Sequence, residues 1–157
     1  MTSIFSGLDD SQIFSGMTSS EINTLESIFT QKEIAEGKTV FIENMLGESL
    51  YLIKQGTIRI SKMLAEGDEE ILVVLGQADI FGEMAIFDNS PRSATARVAE
   101  DVVLFCLSKT DFDSLSKNEP TLCLKLATNI IRLFNASIRA SHLTYREMLL
   151  DALNRRN

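Results

Sequence analysis

Apolar positions change their period twice along the chain. From Thr18 to Phe29, residues Ile22, Leu25, Ile28 and Phe29 recur at the spacing of one helical face. Thr18, Ser19 and Ser20 offer oxygens to the first free amides and Glu21 puts negative charge in the first turn, so a capped helix is predicted here. Upstream, Ile4, Phe5, Leu8, Ile13 and Phe14 predict a shorter helix on the same core. From Gln31 the pattern becomes short runs of Val, Ile, Phe and Tyr, parted by Gly or by acidic turns. The predicted strands cover 33–35, 39–43, 49–54, 57–63, 70–75, 94–99 and 102–107, with Gly56 joining two of them and 65–69 forming an exposed acidic hairpin loop. Residues 57–63 alternate polar and apolar, the mark of a strand with one wet face. Many short strands with regular turns predict an antiparallel barrel or sandwich. After Leu107 the period is helical again. Ser108 or Thr110 caps a short helix over 111–117, and Pro120 opens a long one that runs to about residue 153. Along it Ala127, Ile131, Phe134, Ile138, Ser141, Tyr145, Met148 and Ala152 step by four and three, an a/d seam. A helix of roughly 45 Å overhangs so small a barrel, so part of the seam is expected to meet a second chain.

Composition narrows the function. The 157 residues suit one domain with an appended helix, and 45% hydrophobic with 24% charged residues excludes a disordered or disulfide-stapled chain. Cys106 and Cys123 form no CxxC pair and His142 is the single histidine, so neither a zinc nor a multi-imidazole metal site is expected, and a reducing compartment, the cytoplasm, is. No apolar run approaches the roughly 20 residues of a membrane span, and Met1 to Asp10 lacks the basic region of a signal peptide. Residues 1–119 carry 9 Lys and Arg against 20 Asp and Glu, whereas 120–157 carry 6 against 2, which places a boundary at Pro120 between a strand-rich unit (1–119) and a helical one (120–157). The net charge of −7 argues against nucleic acid as a partner. No nucleophile faces His142 in any evident arrangement, so an enzyme is not expected.

One segment breaks the strand rhythm: Phe81–Gly82–Glu83–Met84–Ala85–Ile86–Phe87–Asp88–Asn89–Ser90–Pro91–Arg92–Ser93–Ala94–Thr95. Gly82 lets a backbone approach something closely. Glu83 to Phe87 predicts one helical turn whose first amides attract an anion. Arg92 brings a planar guanidinium beside the small Ser93 and Ala94, completing a phosphate cradle. Glu83 suits a sugar hydroxyl rather than a phosphate. Taken singly, Glu83 and Arg92 would read as a surface ion pair, and Pro91–Arg92 as an ordinary turn.

As an ordered set, Phe81 to Thr95 resembles the phosphate-binding cassette of the cyclic nucleotide-binding domain family, which includes the bacterial catabolite activator and the regulatory subunits of cyclic-nucleotide-dependent kinases. The similarity runs from about Ile13 to Met148 and takes in Gly37, Gly47, Gly56 and Gly76. The resemblance implies an α+β fold: an antiparallel, jelly-roll-like β-roll (double-stranded β-helix) with short N-terminal helices and a long C-terminal helix. It implies that Gly82, Glu83, Met84, Ala85, Arg92, Ser93 and Ala94 bind the ligand. Glu83 would hold the ribose 2′-hydroxyl, Arg92 the cyclic phosphate, and the amides of Met84, Ala85 and Ala94 with the Ser93 hydroxyl would assist. Phe134, Ser137 and Ile138 would lie near the base, although Phe134 and Ile138, as residues of the a/d seam, read more readily as core or dimer positions. Ser93 follows Arg92 where cAMP-binding kinase subunits usually carry Ala, cGMP-dependent kinases Thr and the bacterial activator Ser, which favours cAMP over cGMP. The expected protein is a cyclic nucleotide sensor that signals by moving its long helix. It is expected to form a homodimer through that helix and to act on a separate effector protein, without contacting DNA or a membrane. Two other readings stay open. One is a ligand-free structural or dimerisation domain of the same fold. The other is a truncated transcription regulator, whose recognition helix the chain lacks after Asn157.

Overall fold

Two long antiparallel strands organise the computed structural model of the chain, which describes residues 3–65 and 67–154, the side chains of 137–148, 151, 152 and 154 excepted. They are β3 (Ser49–Met63) and β6 (Thr95–Ser108), paired from Ser49 opposite Ser108 to Ser61 opposite Thr95. Each lends its two halves to two short partners. β1 (Thr30–Ile34) and β2 (Thr39–Phe41) pair with β6, while β4 (Glu69–Leu75) and β5 (Ile80–Phe81) pair with β3, all antiparallel. The result is the expected antiparallel β-roll.

The sequence reading split both long strands, and the structure corrects it. Gly56 does not end a strand. Its φ of +93° turns the chain within β3, where the register against β6 slips on both sides. A Cβ added there would lie 2.8 Å from the Cα of Val102, so the two bends nest only because residue 56 has no side chain. The two-residue β5 had no periodic signature and escaped detection.

Side chains alternate across a strand, which explains the unbroken apolar runs at 50–53 and 104–107. Leu50, Leu52, Phe105 and Leu107 point out of the roll into a cluster completed by Phe5, Leu8, Ile13, Leu25, Leu115 and Leu126. Tyr51, Ile53, Leu104 and Cys106 point inward, onto Ile58, Phe81, Ala96 and Val98. Strands buried on both faces lose the two-residue pattern, and each such Leu, Ile or Phe contributes about 1.5–3 kcal/mol by leaving water.

The outer cluster is roofed by helices. α1 (Ser19–Ile28) begins with the expected cap, here a reciprocal capping box between Thr18 and Glu21. The upstream segment forms only a 3₁₀ turn at Gln12–Phe14 rather than a helix, yet buries Ile13 and Phe14 as anticipated. Two α-helices follow β6: α3 (Lys109–Asn118), capped by Ser108, and α4 (Pro120–Asn154). α4 packs Leu122, Cys123, Leu126 and Ile130 on the core and is tied down by two polar contacts. Lys125 Nζ lies 2.7 Å from Glu21 Oε1, and the buried Asn129 Nδ2 donates to the carbonyls of Ile13 and Ser15, both at 2.9 Å. Of the a/d seam, Ala127 packs against the core while Ile131 and Phe134 are exposed. The side chains of Ile138, Ser141, Tyr145, Met148 and Ala152 lie outside the described residues.

Candidate functional site

The irregular segment folds as the connection from β5 to β6. Gly82 turns the chain at φ +71°, a left-handed conformation suited to glycine. Glu83 takes helical dihedrals and α2 (Met84–Phe87) completes the single turn expected. Ala85 and Ile86 are buried beneath it, Met84 and Phe87 are exposed, and the Ala85 amide donates to the Gly82 carbonyl at 3.3 Å. Asp88 to Ala94 then lead into β6, with Ser93 exposed and Ala94 half-buried. The segment before β3 clamps this return. The Arg92 amide donates to the Met45 carbonyl and the Asn44 amide to the Arg92 carbonyl, both at 2.8 Å, while the Glu43 amide donates to Thr95 Oγ1 at 3.0 Å.

With its backbone so fixed, Arg92 turns inward and is only 7% exposed. Nη1 donates to the Gly82 carbonyl at 3.0 Å and Nη2 to the Ser49 carbonyl at 2.9 Å. The guanidinium carbon lies 4.0 Å from the centre of the Phe41 ring and 5.8 Å from that of Tyr51. Tyr51 in turn stacks on Phe81 at 5.1 Å. Nε is buried without a partner. Burial lowers the guanidinium's pKa, and the nearby Tyr51 and Glu83 oppose this. No carboxylate forms an ion pair with Arg92 among the described residues, so the surface ion pair with Glu83 is not formed. The site therefore holds a desolvated positive charge resting on neutral carbonyls and an aromatic ring.

Glu83 stands at the other edge of the same turn. Burial raises its carboxyl pKa, with a backbone hydrogen bond and Arg92 pulling the other way. It makes no capping bond to α2. It lines a groove of about 180 Å³ with Met84, Phe87 and Asp88 on one wall and Ile130, Ile131 and Phe134 of α4 on the other. The structure thus gathers Gly82, Glu83, Met84, Ala85, Arg92, Ser93 and Ala94 on one connection and faces Glu83 with Phe134. Ser137 and Ile138 follow on α4, but their side chains lie outside the described residues. Sequence reasoning missed Phe41, Tyr51 and the Ser49 carbonyl as supports of Arg92. They read as ordinary strand positions, and nothing in their spacing links them to a residue some 40 to 50 places away.

Comparison with known proteins places this geometry. A family model described as a cyclic nucleotide-binding domain matches residues 31–119. The cyclic AMP receptor protein of Thermus thermophilus is 32% identical over 138 residues, covering 87% of this chain and 64% of that protein. A CRP-like cAMP-activated global transcriptional regulator of Mycobacterium tuberculosis is 30% identical over 120 residues, covering 76% of this chain and 54% of its own length. The chain thus spans less than two thirds of either curated relative. Among solved structures, a cyclic nucleotide-binding domain from Methylobacillus flagellatus superposes with a TM-score of 0.77 at 26% identity, covering 82% of this chain and 72% of that one.

Proposed function

The chain belongs to the cyclic nucleotide-binding domain family, and from that premise we propose that it is a sensor binding cAMP, in preference to cGMP, and signalling through α4. One observation carries the reading. The Arg92 guanidinium is withdrawn from water, keeps an unpartnered Nε and forms no ion pair with a carboxylate among the described residues. A singly charged cyclic phosphodiester supplies the missing anion and accepts in the planar geometry a guanidinium offers. Glu83 is the acceptor for the ribose 2′-hydroxyl, and its partial burial strengthens such a bond while making an unpartnered carboxylate costly there. The amides of Met84 and Ala94, the Ser93 hydroxyl and the Ala85 amide, the last in exchange for its long bond to the Gly82 carbonyl, complete the phosphate contacts. Phe134, with Ser137 and Ile138 beyond it, faces the base.

Signalling follows from where α4 runs. Ile130, Ile131 and Phe134 form one wall of the groove whose other wall includes Glu83. A nucleotide on the cassette therefore has different contacts with a packed and an unpacked α4, and such a difference shifts the helix population. The exposed Ile131 and Phe134 support a homodimer through α4, and the signal passes to a separate effector protein. The names of the curated relatives, a cyclic AMP receptor and a cAMP-activated regulator, support cAMP as the ligand. The test is calorimetric titration of cAMP and cGMP into protein stripped by unfolding and refolding. Heat is expected with cAMP, most of it lost in Arg92→Ala. No heat with either nucleotide overturns the reading and leaves a structural domain of the same fold.

A further inference from the structure

We infer that Gly47 is a positioning residue for Arg92. By carrying no side chain it opens a berth in which the guanidinium satisfies itself on the protein, and from which an anion must draw it. This rests on the cassette being a nucleotide site, as proposed above.

Gly47 has no backbone reason to be glycine, since its φ is not among the positive values found at Gly7, Gly16, Gly37, Gly56, Gly67 and Gly82. Its reason is space. A Cβ built on it would stand 2.7 Å from Arg92 Nη2 and closer still to Nε and Cζ. No other glycine but Gly82 would set its Cβ against this side chain, and there the positive φ asks for glycine in any case. The berth has four sides. The carbonyls of Gly82 and Ser49 take Nη1 and Nη2, the Phe41 ring lies under the guanidinium, and Gly47 stands against Nε.

The berth is comfortable but incomplete. Carbonyls and a ring stabilise a cation without neutralising it, and a buried Nε–H without an acceptor is a standing penalty. An oxyanion that meets the guanidinium supplies both the charge and the acceptor. Nη1 and Nη2 each commit one of their two N–H groups to a carbonyl, so the gain of moving toward an anion is reduced by the two bonds given up. The apparent affinity is then the intrinsic affinity scaled down by the fraction of molecules whose Arg92 has left the berth, and it rises as that fraction rises. The residue that shapes the berth consequently tunes ligand affinity without touching the ligand.

Gly47→Ala tests this, because residue 47 lies outside the left-handed region and the nearest atoms to the added methyl are all Arg92's. Calorimetry with cAMP is expected to show binding about fivefold or more tighter than in the parent, as a withdrawn state is removed from the competition. Phe41→Leu, which takes away the ring without filling the space, is expected to shift affinity in the same direction. Unchanged or weaker binding in Gly47→Ala overturns the inference while leaving the nucleotide site itself intact. A second readout needs no ligand. Gly47→Ala is expected to lower the melting temperature of the parent protein but not of an Arg92→Ala variant, since the collision is with that side chain. Equal losses in both backgrounds overturn the berth. If the parent binds neither nucleotide, the proposed function fails, and the melting cycle still judges the berth by itself.

Discussion

Replacing Asn129 with leucine removes the polar tie that holds α4 to the N-terminal segment while keeping the branched shape and the number of side-chain heavy atoms. Asn129 is 2% exposed, and its Nδ2 donates to Ile13 and Ser15 carbonyls at 2.9 Å each. Leucine stays apolar on this face but donates nothing, and its bulkier methyls can only add to the loss. A neutral hydrogen bond contributes about 1 kcal/mol net, whereas a carbonyl stranded away from water costs about 1–3 kcal/mol. The Ile13 contact is fully buried and the Ser15 contact only partly, so the full penalty falls on one carbonyl and a fraction on the other. The loss comes to about 2–4 kcal/mol, a large share of the roughly 5–15 kcal/mol that holds a domain together. Urea unfolding should show a lower midpoint at an unchanged slope. Asn129→Asp should be worse than Asn129→Leu near neutral pH, because it sets a carboxylate against two carbonyl oxygens. A loss below about 1 kcal/mol for Asn129→Leu, within the contribution of one ordinary bond, would refute the claim that these two bonds anchor the root of α4.

Glu83→Ala should weaken cAMP binding by a few kcal/mol at most, an upper bound set by one bond to a charged acceptor of about 1.5–3 kcal/mol. The 2′-deoxy analogue should bind the variant and the parent alike, and calorimetry with both ligands checks this. Burial raises the Glu83 pKa, so the unfolded chain releases this proton first as pH rises. The parent should therefore lose stability relative to Glu83→Gln as pH climbs from the ordinary value of 4.5 through the raised one, a trend that urea midpoints across pH would reveal and a flat difference would refute. Gly56→Ala combines a left-handed φ of +93° with backbone 2.8 Å from the new Cβ, and should cost more than the roughly 1–2 kcal/mol of left-handed strain alone. Thermal melts against Gly67→Ala, where φ is +84° but nothing lies within 4 Å, separate the collision from the strain.

The fold was legible wherever burial was one-sided. α1 and α3 each present a single apolar face and carry their own caps, so the sequence narrowed the caps to Thr18, Ser19 or Ser20 and to Ser108 or Thr110, of which the structure uses Thr18 and Ser108. β3 and β6 were seen as two strands each because glycine and charged residues interrupt them at their bends. There the continuity is supplied by pairing between strands more than 40 residues apart, such as Thr57 with Glu100, and no local pattern encodes that. The acidic hairpin is exposed as its sequence implied, while the partners of Glu69, which accepts from Arg97 Nε at 2.9 Å and from Ser61, come from outside any local pattern.

The candidate site divides along the same line. The residues proposed to touch a ligand are contiguous, because one loop must carry a backbone turn, a carboxylate and a guanidinium in fixed order, and such an order survives in the linear chain. The residues that decide where the guanidinium lies come from elsewhere: Phe41 from β2, Gly47 from the loop after it and the Ser49 carbonyl from the start of β3. A carbonyl belongs to every residue, and an absent side chain leaves only a glycine to read. The contacts that would meet a ligand can thus be written in a motif. The contacts that withhold the guanidinium from it emerge only when β2 and β3 are folded against the cassette.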